Sequence, residues 1–127
     1  ELAYMYCDQH VIKILLEICQ MMYTAWFYSN QMEYVETNAP YTVNRKRRGY
    51  KAAHKKHPTT LWISSSINNY NFAGEIGMSL ALEYTKRFGK VHACSKHILW
   101  LYKNKPSNFQ LRESETAYYP TMTLKMV

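Results

Sequence analysis

Residues 2–28 read LAYMYCDQHVIKILLEICQMMYTAWFY, and this stretch decides the fold. Cys7, Val11, Ile14, Leu15, Ile18, Met22, Ala25 and Trp26 recur at the spacing of one helical face. Ile12, Leu16, Cys19 and Tyr23 widen that face past half the circumference. The pattern predicts a helix from about Leu2 to Tyr28, packed on more than one side. The remaining arc holds Gln9, His10, Lys13, Glu17, Gln20 and Thr24. Within it, Asp8-Gln9-His10, Lys13 and Glu17 make a polar stripe that reads either as a binding or catalytic face or as a structural seam. His10 and Glu17 share a face about 10 Å apart along the axis. Lys13 lies between them, with an i, i+4 pair to Glu17 in the weaker order. A carboxylate flanked by an amine and an imidazole can move protons or stabilise a developing cation. The competing reading is a solvated stripe with one modest ion pair.

Working outward, residues 29–57 read as a long irregular connection punctuated by Asn38, Pro40, Asn44 and Gly49, with Tyr41-Thr42-Val43 as a candidate short strand. Pro58 suits the first turn of a helix. Trp62, Ile63, Tyr70, Ala73, Ile76, Leu80 and Tyr84 carry a helical rhythm to Phe88, with Ser64-Ser65-Ser66 as a soft point that could divide it in two. Lys86 and Arg87 followed by Gly89 form a C-terminal stop. A short helix is expected from about Ser95 to Lys103, ended by Pro106, and residues 107–127 form an irregular tail. The expected fold is therefore all-α: one compact domain over residues 1–127, with three to four helices and a long basic loop.

Charge is distributed unevenly. The net charge is +7, yet residues 1–40 carry one base (Lys13) against five acids (Glu1, Asp8, Glu17, Glu33, Glu36). Residues 41–60 carry seven bases and no acid: Arg45, Lys46, Arg47, Arg48, Lys51, Lys55 and Lys56. Such a cluster is the electrostatic footprint of a polyanion partner; the plainer reading is a solvated loop. His54-Lys55-Lys56-His57-Pro58 runs into a helix start, where unpaired N–H groups and the dipole attract phosphate. Tyr41, Tyr50 and Trp62 interleave with the basic run and could stack on bases, although Trp62 reads more simply as core. The twelve tyrosines suit a partly polar core, an adhesive surface, or both.

Three widely spaced cysteines, Cys7, Cys19 and Cys94, form no CxxC motif. A reducing, intracellular setting in the cytoplasm of a host cell is expected, with Cys19 a buried thiol. No apolar run is long enough to span a membrane and no signal peptide is visible, so no membrane association is expected. There is no Gly-rich phosphate loop and no Walker, Rossmann or Ser-His-Asp pattern, so no cofactor is expected. Cys7 with His10, and His54 with His57, have zinc-compatible spacing within each pair, which leaves a metal- or nucleotide-binding protein as an alternative.

Asp8-Gln9-His10 on a first helix, with Glu17 following, resembles the phage pyrimidine-dimer DNA glycosylases of the endonuclease V type. The segment from Asn69-Tyr70-Asn71-Phe72 through Glu83-Tyr84-Thr85-Lys86-Arg87-Phe88-Gly89-Lys90 resembles the later helix of that family. The chain is also similar to small uncharacterised phage proteins with a comparable helix start and a His-x-x-His-Pro segment. The glycosylase resemblance implies a compact all-α protein that binds duplex DNA, kinks it and extrudes a nucleotide, least expensively at a damaged base. It implies that Glu17 stabilises charge developing on the sugar, and that the nucleophile is the N-terminal α-amine. Only seven residues precede Asp8 here, fewer than in the family. Either the native chain starts earlier or that amine is absent; Lys13 would serve only with a depressed pKa. The function expected is a damage-directed DNA glycosylase/AP-lyase-like protein, or an inactive relative, with Glu17 and His10 as catalytic residues. Arg45, Lys46, Arg47, Arg48, Lys51, His54, Lys55, Lys56 and His57 are the expected DNA contacts. A non-catalytic nucleic-acid-binding module is the alternative.

Overall fold

The computed structural model describes residues 8–107 and Phe109. They form five helices: α1 (Asp8–Tyr28), α2 (Met32–Asn38), α3 (Pro58–Ser65), α4 (Ile67–Phe88) and α5 (Ser95–Lys103). The fold is all-α, as expected. The predicted first turns before Asp8 and the tail beyond Phe109 lie outside the described residues.

Helix α1 is the central element and packs against α3, α4, α5 and α2. Its buried face holds Val11, Ile14, Leu15, Ile18, Cys19, Met21, Met22, Tyr23, Ala25 and Trp26. Ile12 and Leu16 are exposed, which corrects the wider apolar face expected at that end. Trp62, Ile63, Tyr70, Leu80, Ile98 and Leu101 complete the core from the other helices.

The serine run does divide the long helical pattern. Ser66 adopts extended backbone angles, and its side chain accepts from Asn69 N at 3.1 Å, capping α4. Buried Asn69 donates back to Trp62 O at 2.8 Å and to Ser65 Oγ at 3.0 Å, so the break is bridged. Gly89, at φ 69°, stops α4, and its N–H returns to Thr85 O. Buried Tyr70 Oη accepts from Trp26 Nε1 and lies 2.9 Å from Leu101 O, tying α1, α4 and α5 together.

The greatest departure falls in residues 29–57. Asn30, at φ 62°, reverses the chain after α1, and Gln31 N donates to Trp26 O. Helix α2 follows, where an irregular chain was expected. Its seven residues bury only Val35, too few for a periodic signal, while Tyr34 stacks on Trp26. The candidate strand at Tyr41-Thr42-Val43 is reduced to a single antiparallel bridge between Tyr41 and Arg48. That bridge closes a tight loop. Thr42 N donates to Arg47 O, Arg45 N to Thr42 O, and Lys46 N to Asn44 Oδ1. Gly49, at φ 69°, then packs against Val35 and Tyr23 with no space for a side chain.

Candidate nucleic-acid interface

The polar arc of α1 divides into two parts. Toward its C-terminal end, Thr24 is fully buried and pairs with Ala53 in both directions: Thr24 Oγ1 lies 2.8 Å from Ala53 O and accepts from Ala53 N at 2.9 Å. Gln20 Oε1 meets His54 Nε2 at 2.8 Å, and the Tyr28 hydroxyl donates to Lys55 O at 2.7 Å. These bonds lay residues 53–55 along the helix. They satisfy backbone groups that a loop would otherwise leave to water.

Toward the N-terminal end, Lys13 is exposed, and His10 and Glu17 are half-buried. No ion pair joins Lys13 to Glu17, and no side-chain hydrogen bond ties either of them or His10 to another described residue. Asp8 belongs elsewhere: with Glu83 it holds Arg87 of α4, at 3.0 Å and 2.7 Å respectively. Both contacts keep the Arg87 guanidinium charged, the Glu83 bond most strongly. Helical spacing puts Glu17 one turn from Gln20, the residue that meets His54.

The nine expected DNA contacts divide likewise. Arg45, Lys46, Lys51, Lys55 and Lys56 are exposed. Lys55 Nζ lies 4.4 Å from the Phe27 ring centroid, leaving its charge at the surface. Arg47 faces Glu36 at 3.8 Å. Arg48 donates to Ala39 O at 2.9 Å and stacks over Tyr41 at 4.2 Å, with Arg45 at 5.4 Å from the same ring. His57 caps α3: its Nδ1 accepts from Thr59 N at 3.1 Å. The start of α3 is thus partly satisfied from within. Arg45 and His54 both adopt left-handed backbone, at φ 59° and 53°. For residues other than glycine this conformation is uncommon and persists where neighbours enforce it.

Beneath the segment lies a buried polar cluster that the sequence does not signal. Tyr50 packs at 5.0 Å on the ring of His97 and at 5.9 Å on that of Tyr23. Tyr23 Oη and His97 Nδ1 are 2.7 Å apart. Burial, then the charge of Lys96, lowers His97 to about 4, while the Tyr41 carbonyl opposes the shift. Burial raises the Tyr23 hydroxyl, so both groups stay neutral in this hydrogen bond. Tyr50 Oη lies 3.7 Å from Cys94 Sγ. The neighbouring Cys19 thiol lowers Cys94 to about 7; burial opposes this and the Tyr50 hydroxyl assists it. Cys19 itself is buried, and burial pushes its thiol up. Each partner is aromatic or apolar by composition, so only long-range pairing reveals the cluster.

Among the described residues no group of three His, Cys, Asp or Glu side chains is placed to hold a metal ion. Cys7 lies outside them, while His54 and His57 are engaged by Gln20 and Thr59. No helix among the described residues is long and apolar enough to cross a membrane. Comparison with protein-family models, with curated proteins and with solved structures finds no match.

Proposed function

We propose that this protein binds nucleic acid, duplex DNA in the first instance, through residues 45–57. The observation that carries the reading is the docking of the acid-free basic segment on α1 through Thr24, Gln20 and Tyr28. A merely solvated loop has no need of part-buried backbone pairing to α1 or of left-handed Arg45 and His54. Fixing the chain before binding removes part of the ordering cost, so exposed Arg45, Lys46, Lys51, Lys55 and Lys56 meet phosphates at less entropic expense. Arg47 and Arg48 support the loop instead. The test is duplex binding over a salt series. The logarithm of affinity should fall linearly with the logarithm of salt concentration, by about 0.9 per phosphate neutralised. Replacing Lys55 and Lys56 with Gln should flatten that slope by about 2. Absence of binding at low salt, or an unchanged slope in the double variant, overturns the reading.

A second reading adds catalysis of the glycosylase/AP-lyase type. It is supported by Glu17, a half-buried carboxylate with no partner among the described residues, one helical turn from Gln20, which meets His54. In it Glu17 stabilises positive charge on the sugar and His10 positions the strand. UV-damaged or abasic duplex with borohydride should give a trapped adduct, and Glu17→Gln should keep binding while losing cleavage. If no adduct forms and no strand is cut, catalysis is lost from the reading and binding stands.

A further inference from the structure

A cavity of about 140 Å³ opens beside α2, lined by Trp26, Gln31, Tyr34, Asn104, Lys105 and Ser107. One wall is aromatic, formed by Trp26 and Tyr34. Tyr34 stacks on Trp26 at 5.4 Å and 5°, and Trp100 packs on both. Trp26 is buried, whereas Tyr34 is 46% exposed. The rim is polar. Gln31 Oε1 accepts from Ser107 N at 2.8 Å, leaving its amide nitrogen without a partner among the described residues. Asn104 Nδ2 donates to Trp100 O at 2.9 Å, leaving its carbonyl oxygen as an acceptor. Lys105 donates to Tyr102 O and keeps its ammonium at the surface.

An aromatic wall with donors and an acceptor at its edge fits a flat heterocycle that carries both kinds of group on its own edge. The volume suits one ring system, since a cavity of about 150 Å³ accepts benzene. The cavity also has a fixed relation to the cationic loop. It lies at the start of α2, while Arg48 of the loop is bonded to Ala39 O at the other end. The seven residues between span about 10 Å, so the cavity and the loop lie close enough for one strand to reach both.

We propose that this cavity receives an unpaired nucleobase, stacked on Tyr34, from a strand whose phosphates lie on the basic loop. The proposal rests on the nucleic-acid reading and adds to it a preference for unpaired strand. The experiment compares oligothymidylate with an oligomer of equal length made only of abasic deoxyribose phosphate. The two carry the same charge and differ only in bases. The base-bearing strand should bind about tenfold more tightly and quench tryptophan fluorescence, because Trp26 and Trp100 adjoin the site. Tyr34→Ala should abolish that preference with the helical circular dichroism unchanged, and Tyr34→Phe should retain it. If both strands bind equally, or Tyr34→Ala leaves the preference intact, the cavity is not a base site and the nucleic-acid reading stands. If neither strand nor duplex binds, that reading fails and the base site fails with it.

Discussion

At the C-terminal end of the α1 polar arc, Gln20 and Thr24 hold the imidazole of His54 and the backbone of Ala53. Toward the N-terminal end, His10, Lys13 and Glu17 have no such partner among the described residues. All five are polar and share one face of one helix. The difference lies in what the rest of the chain brings to each end. A polar stripe on an otherwise apolar helix therefore has two distinct uses here. One end seats a loop whose backbone needs partners, and the other keeps its side chains available beside that loop.

The comparison breaks most severely if the docked end is unseated. Gly49 begins the docked stretch at φ 69°, and an added Cβ would lie 2.6 Å from Val35 Cγ1 and 2.9 Å from Tyr23 Cε1. Gly49→Ala combines left-handed strain with overpacking and should cost about 4 kcal/mol. Urea unfolding measures it. A loss below about 1 kcal/mol, within the range of ordinary surface changes, would mean that the segment is not seated as described.

Acid should weaken the same end from beneath. His97 falls to about 4 when folded against 6.5 as its ordinary value, so the folded state binds fewer protons between those limits. Stability should be full above pH 6.5, fall as pH drops toward 4, and level off below, by about 3 kcal/mol in all. His92, also lowered by burial, adds a smaller slope of the same sign. Unfolding across this window should be flatter for His97→Gln than for the wild type. Parallel curves would show that His97 is not held neutral beneath Tyr50.

The seam itself is more modest. Thr24→Val keeps the shape but removes both bonds to Ala53, leaving part-buried backbone groups unpaired. The expected cost is about 2 kcal/mol, again by urea unfolding. Faster amide exchange should be confined to residues 50–57 and their neighbours. Uniform exchange across the molecule would mean that Thr24 supports the core rather than the segment.

How much of this arrangement sequence could disclose follows from the range of each interaction. Periodicity reveals α1 and α4, and local chemistry reveals the Pro58 start, the serine break, the Gly89 stop and the proline that follows α5. Each of these depends on residues a few positions apart. Helix α2 escaped because it buries one side chain, Val35, too few for a periodic signal. The basic run was legible as charge. Its division into supporting Arg47 and Arg48 and exposed Lys51, Lys55 and Lys56 was not, because that depends on Glu36, Ala39 and Tyr41 arriving through the tight loop. Thr24 falls in the polar arc of α1 because its side chain is polar. Its burial is set by Ala53, 29 residues away.

The smallest expected effect tests the open end. Glu17 makes no described side-chain bond, so Glu17→Gln removes charge without removing a contact. Stability should change by no more than about 0.5 kcal/mol, in contrast to Thr24→Val on the same helical face. Duplex affinity should stay the same or rise slightly, because a negative charge is removed one turn from the cationic segment. Affinity at several salt concentrations and urea unfolding on the same preparation give both readouts. A loss of 2 kcal/mol or so, as expected at Thr24, would place a structural partner on Glu17 and dissolve the distinction between the two ends. A stability-neutral Glu17→Gln that binds as before would locate the difference where the geometry does: in what docks against each end of α1, not in the residues of the stripe themselves.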